Sequence, residues 1–505
     1  MNTKFRVLLF YPNEPLLGIA PSNLAILSAC LKEANIDVKL FDCTLYKQVD
    51  IITQDKTREK LGQVKKTNVE DYIHCKTEDP YEDFVKIVDE FKPDLIAVTL
   101  IDSTISFAHS FLDKIKDKNI PVVAGGVGTT FLYKKILNSG YVKYACIGEG
   151  EKAIVELAQK IQRKEDTTNI KNIYTMDDKG FIIMNPLRKL VHLDDLPVPD
   201  FSIYEYDRFY RPFMGEIVRM LQVDIDRGCP FICTYCAAPT LRVKYKRENC
   251  GNYYRVKNWD KVFDELNFLI KEHNINCLWI SSETFLALPL KKFKIFAERY
   301  KNEIHLPFWC QSRLDTFDPE KIRLLADMGC KAMSVGLEHG SEKIRFNLLH
   351  KNIPNSMVLD AIRTISQYDI IVTVNNMIGF PDETREDIFE TVNLNRKINE
   401  IMGGKHTINV FTFIPFSGTE LRRISIEKGY VNEDVDIPIS FFNESMLTMP
   451  SLSKNEIKML EKTLALYIFL PKEYWSDIKI AEQDDEEGNI MFEKLIKIKN
   501  EFNKK

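Results

Sequence analysis

The sequence predicts an α/β protein in three parts: an N-terminal doubly wound, Rossmann-like domain, a partial (βα)6 barrel, and a small C-terminal helical region. Two alternations of strand and helix carry this, followed by a change of pattern near Gly429. In the first 160 residues "RVLLFY", "DVKLFD", "DLIAVTL", "IPVVAGG" and "YACIGEG" are short apolar runs of the kind that form buried parallel strands. Helical spacing separates them, as in "PSNLAILSACLKEAN" and "ISFAHSFLDKIKDK". After Glu216 six more runs follow: "IVRMLQVDI", "CLWISS", "LPFWCQS", "AMSVGLE", "IIVTVNNMIG" and "INVFTFIP". Amphipathic segments such as "WDKVFDELNFLIKEH" and "REDIFETVNLNRKI" alternate with them, which predicts six parallel βα units.

The expected boundaries are 1–165 for the first domain, 166–215 for a turn-rich linker containing Pro197, Pro199 and Asp200, 216–430 for the barrel, and 431–505 for a helical cap. In the cap, Ser453 and Glu456 are spaced as a capping box ahead of an apolar-faced helix. "KIAEQDDEEGN" reads as a solvated acidic loop.

Composition narrows the class. At 505 residues, with 45% hydrophobic and 28% charged residues, the chain reads as a soluble protein of more than one domain. A formal net charge of -4 argues against a nucleic-acid partner. No apolar run approaches the roughly 20 residues of a membrane span, and the N-terminus lacks the form of a signal peptide. The 11 cysteines are odd in number and mostly isolated among apolar residues, which fits a reducing cytoplasm rather than a disulfide framework.

Three of those cysteines are not isolated. "DRGCPFICTYCAAP" sets Cys229, Cys233 and Cys236 in a C-x-x-x-C-x-x-C spacing on the loop after the first barrel strand. A closed zinc site takes four ligands, and no fourth follows at a matching spacing; Cys250 lies 14 residues on, outside any C-x-x-C pair. Three thiolates leave one iron of a 4Fe–4S cluster open, as a catalytic metal requires.

"CPFICTYC" resembles the signature of radical S-adenosylmethionine (SAM) enzymes, with Tyr235 as the aromatic before the last cysteine. The resemblance implies that Cys229, Cys233 and Cys236 hold the cluster and that SAM chelates the open iron and is cleaved reductively to a deoxyadenosyl radical. It also implies SAM contacts at successive strand ends: Tyr235 on the cysteine loop, Glu283 in "SSETF" for the amino group, Arg313 in "CQSRLD" for the carboxylate, Glu338 in "GLEHGSE" for the ribose, and Gly379 in "NNMIGFPDET" for the adenine. "SSETF" departs from the family's Gly-Gly-Glu, and Asp382 stands where relatives carry glycine. Each acid alone is equally well a strand-end hydrogen bond or ion pair.

The order of motifs from about Arg6 to Tyr430 is similar to that of cobalamin-binding radical SAM enzymes, the class B methyltransferase-like group. "PNEPLLGIAPS", "AGGVGTTF" and "IGEGEKA" would then approach the corrin, through Ser103, Gly125, Gly126, Gly128, Thr129, Gly148, Glu149 and Gly150. A D-x-H-x-x-G motif, whose histidine ligates cobalt elsewhere, is missing; Asp102 and His109 are seven apart, with His109 expected inside a helix. The resemblance therefore implies base-off cobalamin without a histidine ligand.

The implied activity is methylation of an unactivated carbon, or phosphorus, of a small molecule or lipid, with an electron donor such as flavodoxin or ferredoxin. An oxidative cyclase or rearranging enzyme of the same architecture is the nearer alternative, and a non-catalytic cofactor-binding redox sensor the more distant one. "FWCQS" and "VFTFIPFSGTEL" suggest an aromatic and apolar barrel lining.

Overall fold

The computed structural model describes residues 4–16, 18–47, 54–63, 67–69, 71–439 and 444–502. Leu17, in the first expected loop, and 440–443, in the expected cap, lie outside the described residues. The first sheet is built from β1 (Arg6–Tyr11), β2 (Asp37–Asp42), β3 (Leu95–Thr99), β4 (Val122–Gly125), β5 (Tyr144–Cys146), β6 (Ile173–Met176) and β7 (Ile182–Met184). Its order is β2-β1-β3-β4-β5-β6-β7, parallel through β5. Burial is almost complete along β1 and β3, as continuous apolar strands between two helical layers require.

The second sheet follows a β-hairpin of β8 (Tyr210–Phe213) and β9 (Glu216–Val223). A two-residue ribbon, β10 (Asp226–Arg227) with β11 (Arg255–Val256), flanks the cysteine loop. Then come β12 (Cys277–Ile280), β13 (Phe308–Arg313), β14 (Cys330–Glu338), β15 (Ile371–Ile378) and β16 (His406–Thr412). The order β16-β15-β14-β13-β12-β9-β8 is the open, parallel wall of the expected half-barrel, with β8 added antiparallel at its edge.

Every expected strand forms. The segment 166–215 does more than connect. It lends β6 and β7 to the first sheet and β8 to the second. "MDDKGF" makes the β6–β7 turn, where the Asp177 carboxylate accepts from the amides of Lys179 and Phe181, at 2.9 and 2.8 Å, and Gly180 takes φ +84°.

Along β15 and β16 alternate side chains are buried, in keeping with the two-residue period of a strand. Val374, Ile408 and Val410 pack outward against helices; Thr373, Asn375, Met377, Thr407, Asn409 and Phe411 are the intervening residues, facing the lumen. The same alternation divides the residues of the expected aromatic lining between lumen and outer core. Phe308 and Cys310 lie in the outer core, whereas Trp309 and Gln311 are the less buried, inward set.

The capping box at Ser453 and Glu456 opens the helix Lys454–Phe469, which packs on the barrel's last strands. The acidic stretch is only partly loop. A helix starts at Glu486, with the Gly488 amide donating to Asp485 at 2.8 Å, and Glu482 accepts from Arg385 and Tyr467. No described helix is long and apolar enough to cross a membrane.

Candidate active site at the meeting of two loop edges

The C-terminal edges of both sheets face each other. The amide of Ser417, after β16, donates to Asp102 Oδ2 after β3 at 2.6 Å. At Gly418 a side chain would strike the Phe131 ring, from the first domain, at 2.5 Å. Arg208, fully buried between the parts, donates to Asp42 at 2.7 Å and to the carbonyls of Gly18 and Ile19.

The cysteine loop leaves the ribbon through Gly228, whose φ of +87° and lack of a side chain let it pass the Tyr253 carbonyl; a Cβ would come within 2.4 Å of that oxygen. Each thiol has N–H or O–H donors. Arg313 Nη1 donates to Cys233 Sγ at 2.9 Å and the Ala238 amide to Cys236 Sγ at 3.4 Å, while the Phe231 amide and Thr284 hydroxyl face Cys229. Burial pushes the Cys229 thiol up, with Glu283 adding to it, and pushes Cys236 up to about 12. Cys229 and Cys236 therefore favour the neutral thiol until a cation arrives, and the loop already points donors at the thiolates a metal would create. Among the described residues no three His, Cys, Asp or Glu side chains converge on a single-ion site. The donor set, three sulfurs with N–H partners beside an open mouth, fits a 4Fe–4S cluster.

Around this loop lie the strand-end residues. Glu338, at φ +68°, ends β14. Its Oε1 accepts from Tyr235 at 2.9 Å and from Lys351 at 3.0 Å, so the cysteine loop is tied to the fourth barrel strand. Its ion-pair partner is Lys351. Burial and Glu338 keep the Tyr235 phenol far above its usual range, so it donates. Arg313 is already held: Asp315 takes it at 3.0 and 2.8 Å, and its guanidinium lies 3.8 Å over the Phe231 ring. Glu283 is open to solvent yet deep in the concavity, where crowding by protein and the charge of Asp224 raise its carboxyl. Gly379 sits at φ +85° with its amide bonded to Glu383. Asp382 pairs with Lys428 and Tyr430 on the surface, the plain structural role.

The first domain's glycines behave differently. A Cβ on Gly126 would lie 2.4 Å from the Leu100 carbonyl, and one on Gly128 2.7 Å from the Ile101 backbone. One on Gly148 would meet the Tyr245 hydroxyl at 2.3 Å. Close packing of this chain on itself accounts for the lack of a side chain at these three positions. Thr129 caps the same turn, donating to the Gly125 carbonyl at 2.8 Å. Glu149 is engaged by Arg227, Arg255 and the Val191 amide. Although burial pushes its carboxyl up, Arg255 and Arg227 hold it below the usual value. Gly125 and Gly150 would accept a Cβ without a clash, in ordinary contact with Cys146 and, at Gly150, with Leu27 as well. Ser103 and Ser417 are buried with hydroxyls that have no partner, one on each edge. Two unused hydroxyls, on the residues next to and bonded through the backbone to Asp102, fit a polar cofactor edge between the domains. His109 lies in the helix Ile105–Asp113, against Tyr141, and burial lowers its basicity.

Sequence reasoning missed Asp226. It is buried one residue before Arg227, accepts from Ser282 at 2.7 Å, and leaves Oδ1 unpartnered. Burial, with Asp224 and Glu283 nearby, pushes it up to about 7. It also missed His339 and Glu383, a fully buried pair at 2.7 Å that ties the ends of β14 and β15 together. Only the fold makes these residues neighbours.

The profile of the Radical SAM superfamily matches residues 223–394, and that of the B12 binding domain residues 62–158. An uncharacterized methyltransferase of Pyrococcus horikoshii is 24% identical over 412 residues, 79% of this chain and 83% of its own. The anaerobic magnesium-protoporphyrin IX monomethyl ester cyclase of Rubrivivax gelatinosus is 25% identical over 66% of this chain, which spans 59% of the cyclase's length. The solved structure of the radical S-adenosylmethionine methyltransferase TsrM from Kitasatospora setae shares the fold at 18% identity, with a TM-score of 0.61 over 90% of this chain and 82% of that one.

Proposed function

Because the chain belongs to the cobalamin-binding radical SAM enzymes, whose cofactors are a 4Fe–4S cluster, SAM and cobalamin, we propose that it is a methyltransferase acting on a small molecule. The observation that carries this reading is the meeting of the two loop edges: the Ser417 amide after β16 donates to Asp102 after β3, and Arg227 beside the cysteine loop pairs with Glu149 and Glu151 after β5. When bound, the cluster and SAM supply a carbon-centred radical and cobalamin carries a methyl group.

The chain's own residues position and protect. Cys229, Cys233 and Cys236 hold the cluster, with Arg313 and the Ala238 amide stabilising their charge. Tyr235 and Lys351 fix Glu338 Oε1, so the carboxylate is oriented before a ribose arrives. Glu283 receives the amino group of SAM, and Gly379 shapes the adenine wall. Asp226 can hold or release a proton near neutral pH beside Glu283. Ser103, Gly125, Gly150 and Ser417 line the cobalamin edge. The lumen mixes amides and hydroxyls, Gln311, Thr373, Asn375, Thr407 and Asn409, with Trp309, Met377 and Phe411, which suits a substrate with both polar and apolar parts. The reducing electron comes from a flavodoxin or ferredoxin.

The test is anaerobic incubation of reduced, cofactor-loaded protein with methyl-labelled SAM and a pool of candidate metabolites, read by product mass. A product carrying the labelled methyl supports transfer. Label left entirely on methionine or SAM, with a substrate that loses hydrogen and gains a ring, would establish the cyclase reading.

A further inference from the structure

Four charged side chains join the two loop edges at the ribbon. Glu149 and Glu151 flank Gly150 after β5, Glu151 opening the helix Glu151–Arg163, and Arg227 and Arg255 pair across β10 and β11. Arg227 Nη1 donates to Glu151 Oε1 at 2.5 Å and lies 3.4 Å from Glu149 Oε1. Arg255 Nη2 donates to the same Glu149 oxygen, and its Nη1 lies 3.3 Å from Oε2. The charges balance, two against two, and all four are at most 22% exposed. The connecting segment closes the set: the Val191 amide donates to Glu149 Oε2 at 3.0 Å, and its carbonyl accepts from Arg255 at 2.6 Å. Tyr245, on the helix Ala238–Arg247 after the cysteines, rests its hydroxyl on Gly148 of the same glutamate loop.

This network has a direct mechanical consequence. Arg227 is two residues from Cys229, and Gly228 between them is wedged against the Tyr253 carbonyl, so the connection has no slack. The glutamates sit in the loop expected to border cobalamin. We propose that Glu149, Glu151, Arg227 and Arg255 form a latch that sets the distance between the cobalamin edge and the cluster loop, acting as positioning residues and not as ligands of either cofactor. The latch rests on the cobalamin and cluster assignment above. It gives the third glycine loop, "IGEGEKA", a role in joining the domains.

The test uses the full chain, reconstituted anaerobically with iron, sulfide and hydroxocobalamin, and needs no substrate. With both centres paramagnetic, the reduced cluster speeds the electron-spin relaxation of Co(II) cobalamin by an amount that falls steeply with their separation. Wild type is expected to show this enhancement. Glu149→Gln with Glu151→Gln is expected to lower it severalfold at unchanged iron and cobalt content, and Glu151→Arg with Arg227→Glu to restore part of the loss seen in Glu151→Arg alone. Unchanged enhancement in the double Gln variant overturns the latch. If that variant takes up no metal, Arg227→Lys decides: it keeps the charge but cannot serve both carboxylates, so a lowered enhancement supports the latch and an unaltered one overturns it. Wild-type protein that loads cluster but no cobalamin overturns the latch together with the assignment it rests on, and is told apart by its cobalt content.

Discussion

The two loop edges use their conspicuous residues in opposite ways. On the barrel edge the motif residues are graded in exposure: Glu283 is solvent-accessible, Cys229 and Cys236 are half-buried, and Cys233 and Glu338 are buried, Glu338 oriented by Tyr235 and Lys351. On the first domain's edge the glycines are consumed by the protein itself, Gly126 and Gly128 against the turn after β3, Gly148 against Tyr245. A cysteine spacing states a chemistry, because few structures need three thiols so placed. A glycine states only that something comes close, and here that something is backbone as often as it is space.

Substitution at the glycines breaks the comparison most severely. Gly126→Val is expected to abolish folded protein, because it combines φ +94° with a Cβ 2.4 Å from the Leu100 carbonyl. Gly125→Ala should leave circular dichroism and melting nearly unchanged, since its Cβ meets nothing nearer than 4.0 Å, and should weaken cobalamin binding by spectral titration. If Gly126→Val folded normally and lost only cobalamin, the glycine loop would be a ligand cradle after all.

Glu338 sharpens the barrel side. Glu338→Gln leaves Lys351, 1% exposed, without its counter-charge and held by the Gly336 carbonyl at 2.6 Å, and should cost about 3 kcal/mol in denaturant melts. Adding Lys351→Met should recover most of that stability. SAM affinity should stay about tenfold weaker in both, a loss of about 1.4 kcal/mol, measured by calorimetry. Recovery of SAM affinity with stability would make Glu338 purely structural.

The smallest expected effect lies away from both edges. Burial pushes Glu461, on the helix behind β16, up to about 8. A carboxyl raised in the folded state binds its proton more tightly folded than unfolded. Its stabilising contribution is therefore complete in acid and is lost as pH rises between its ordinary value and about 8. Glu461→Gln should be neutral near about pH 4 and stabilising by a few kcal/mol at most near about pH 9, in denaturant titrations at both pH values. Equal melting curves at both would remove the buried-acid account.

The sequence was legible where local pattern decides. Eleven apolar runs became the eleven expected strands, and the Ser453–Glu456 spacing became a capping box, because period and capping act over a few residues. The three-cysteine loop was legible for the same reason. What escaped needed the fold. Asp226 lies beside Glu283 only because β9 and β12 are neighbours, and Glu149 meets Arg227 across two domains. The β6–β7 hairpin was hidden by the prolines and acids that follow it, although "DDKG" between apolar pairs carried its turn signal.

Metal content tests the central claim most directly. Protein purified and reconstituted without oxygen, with iron, sulfide and hydroxocobalamin supplied, should hold about four irons and about one cobalt per chain. Replacing Cys229, Cys233 and Cys236 by Ala should remove the iron and leave the cobalt and the melting temperature in place. Zinc in place of iron in the anaerobically purified wild type, or cobalt that never binds, would contradict it.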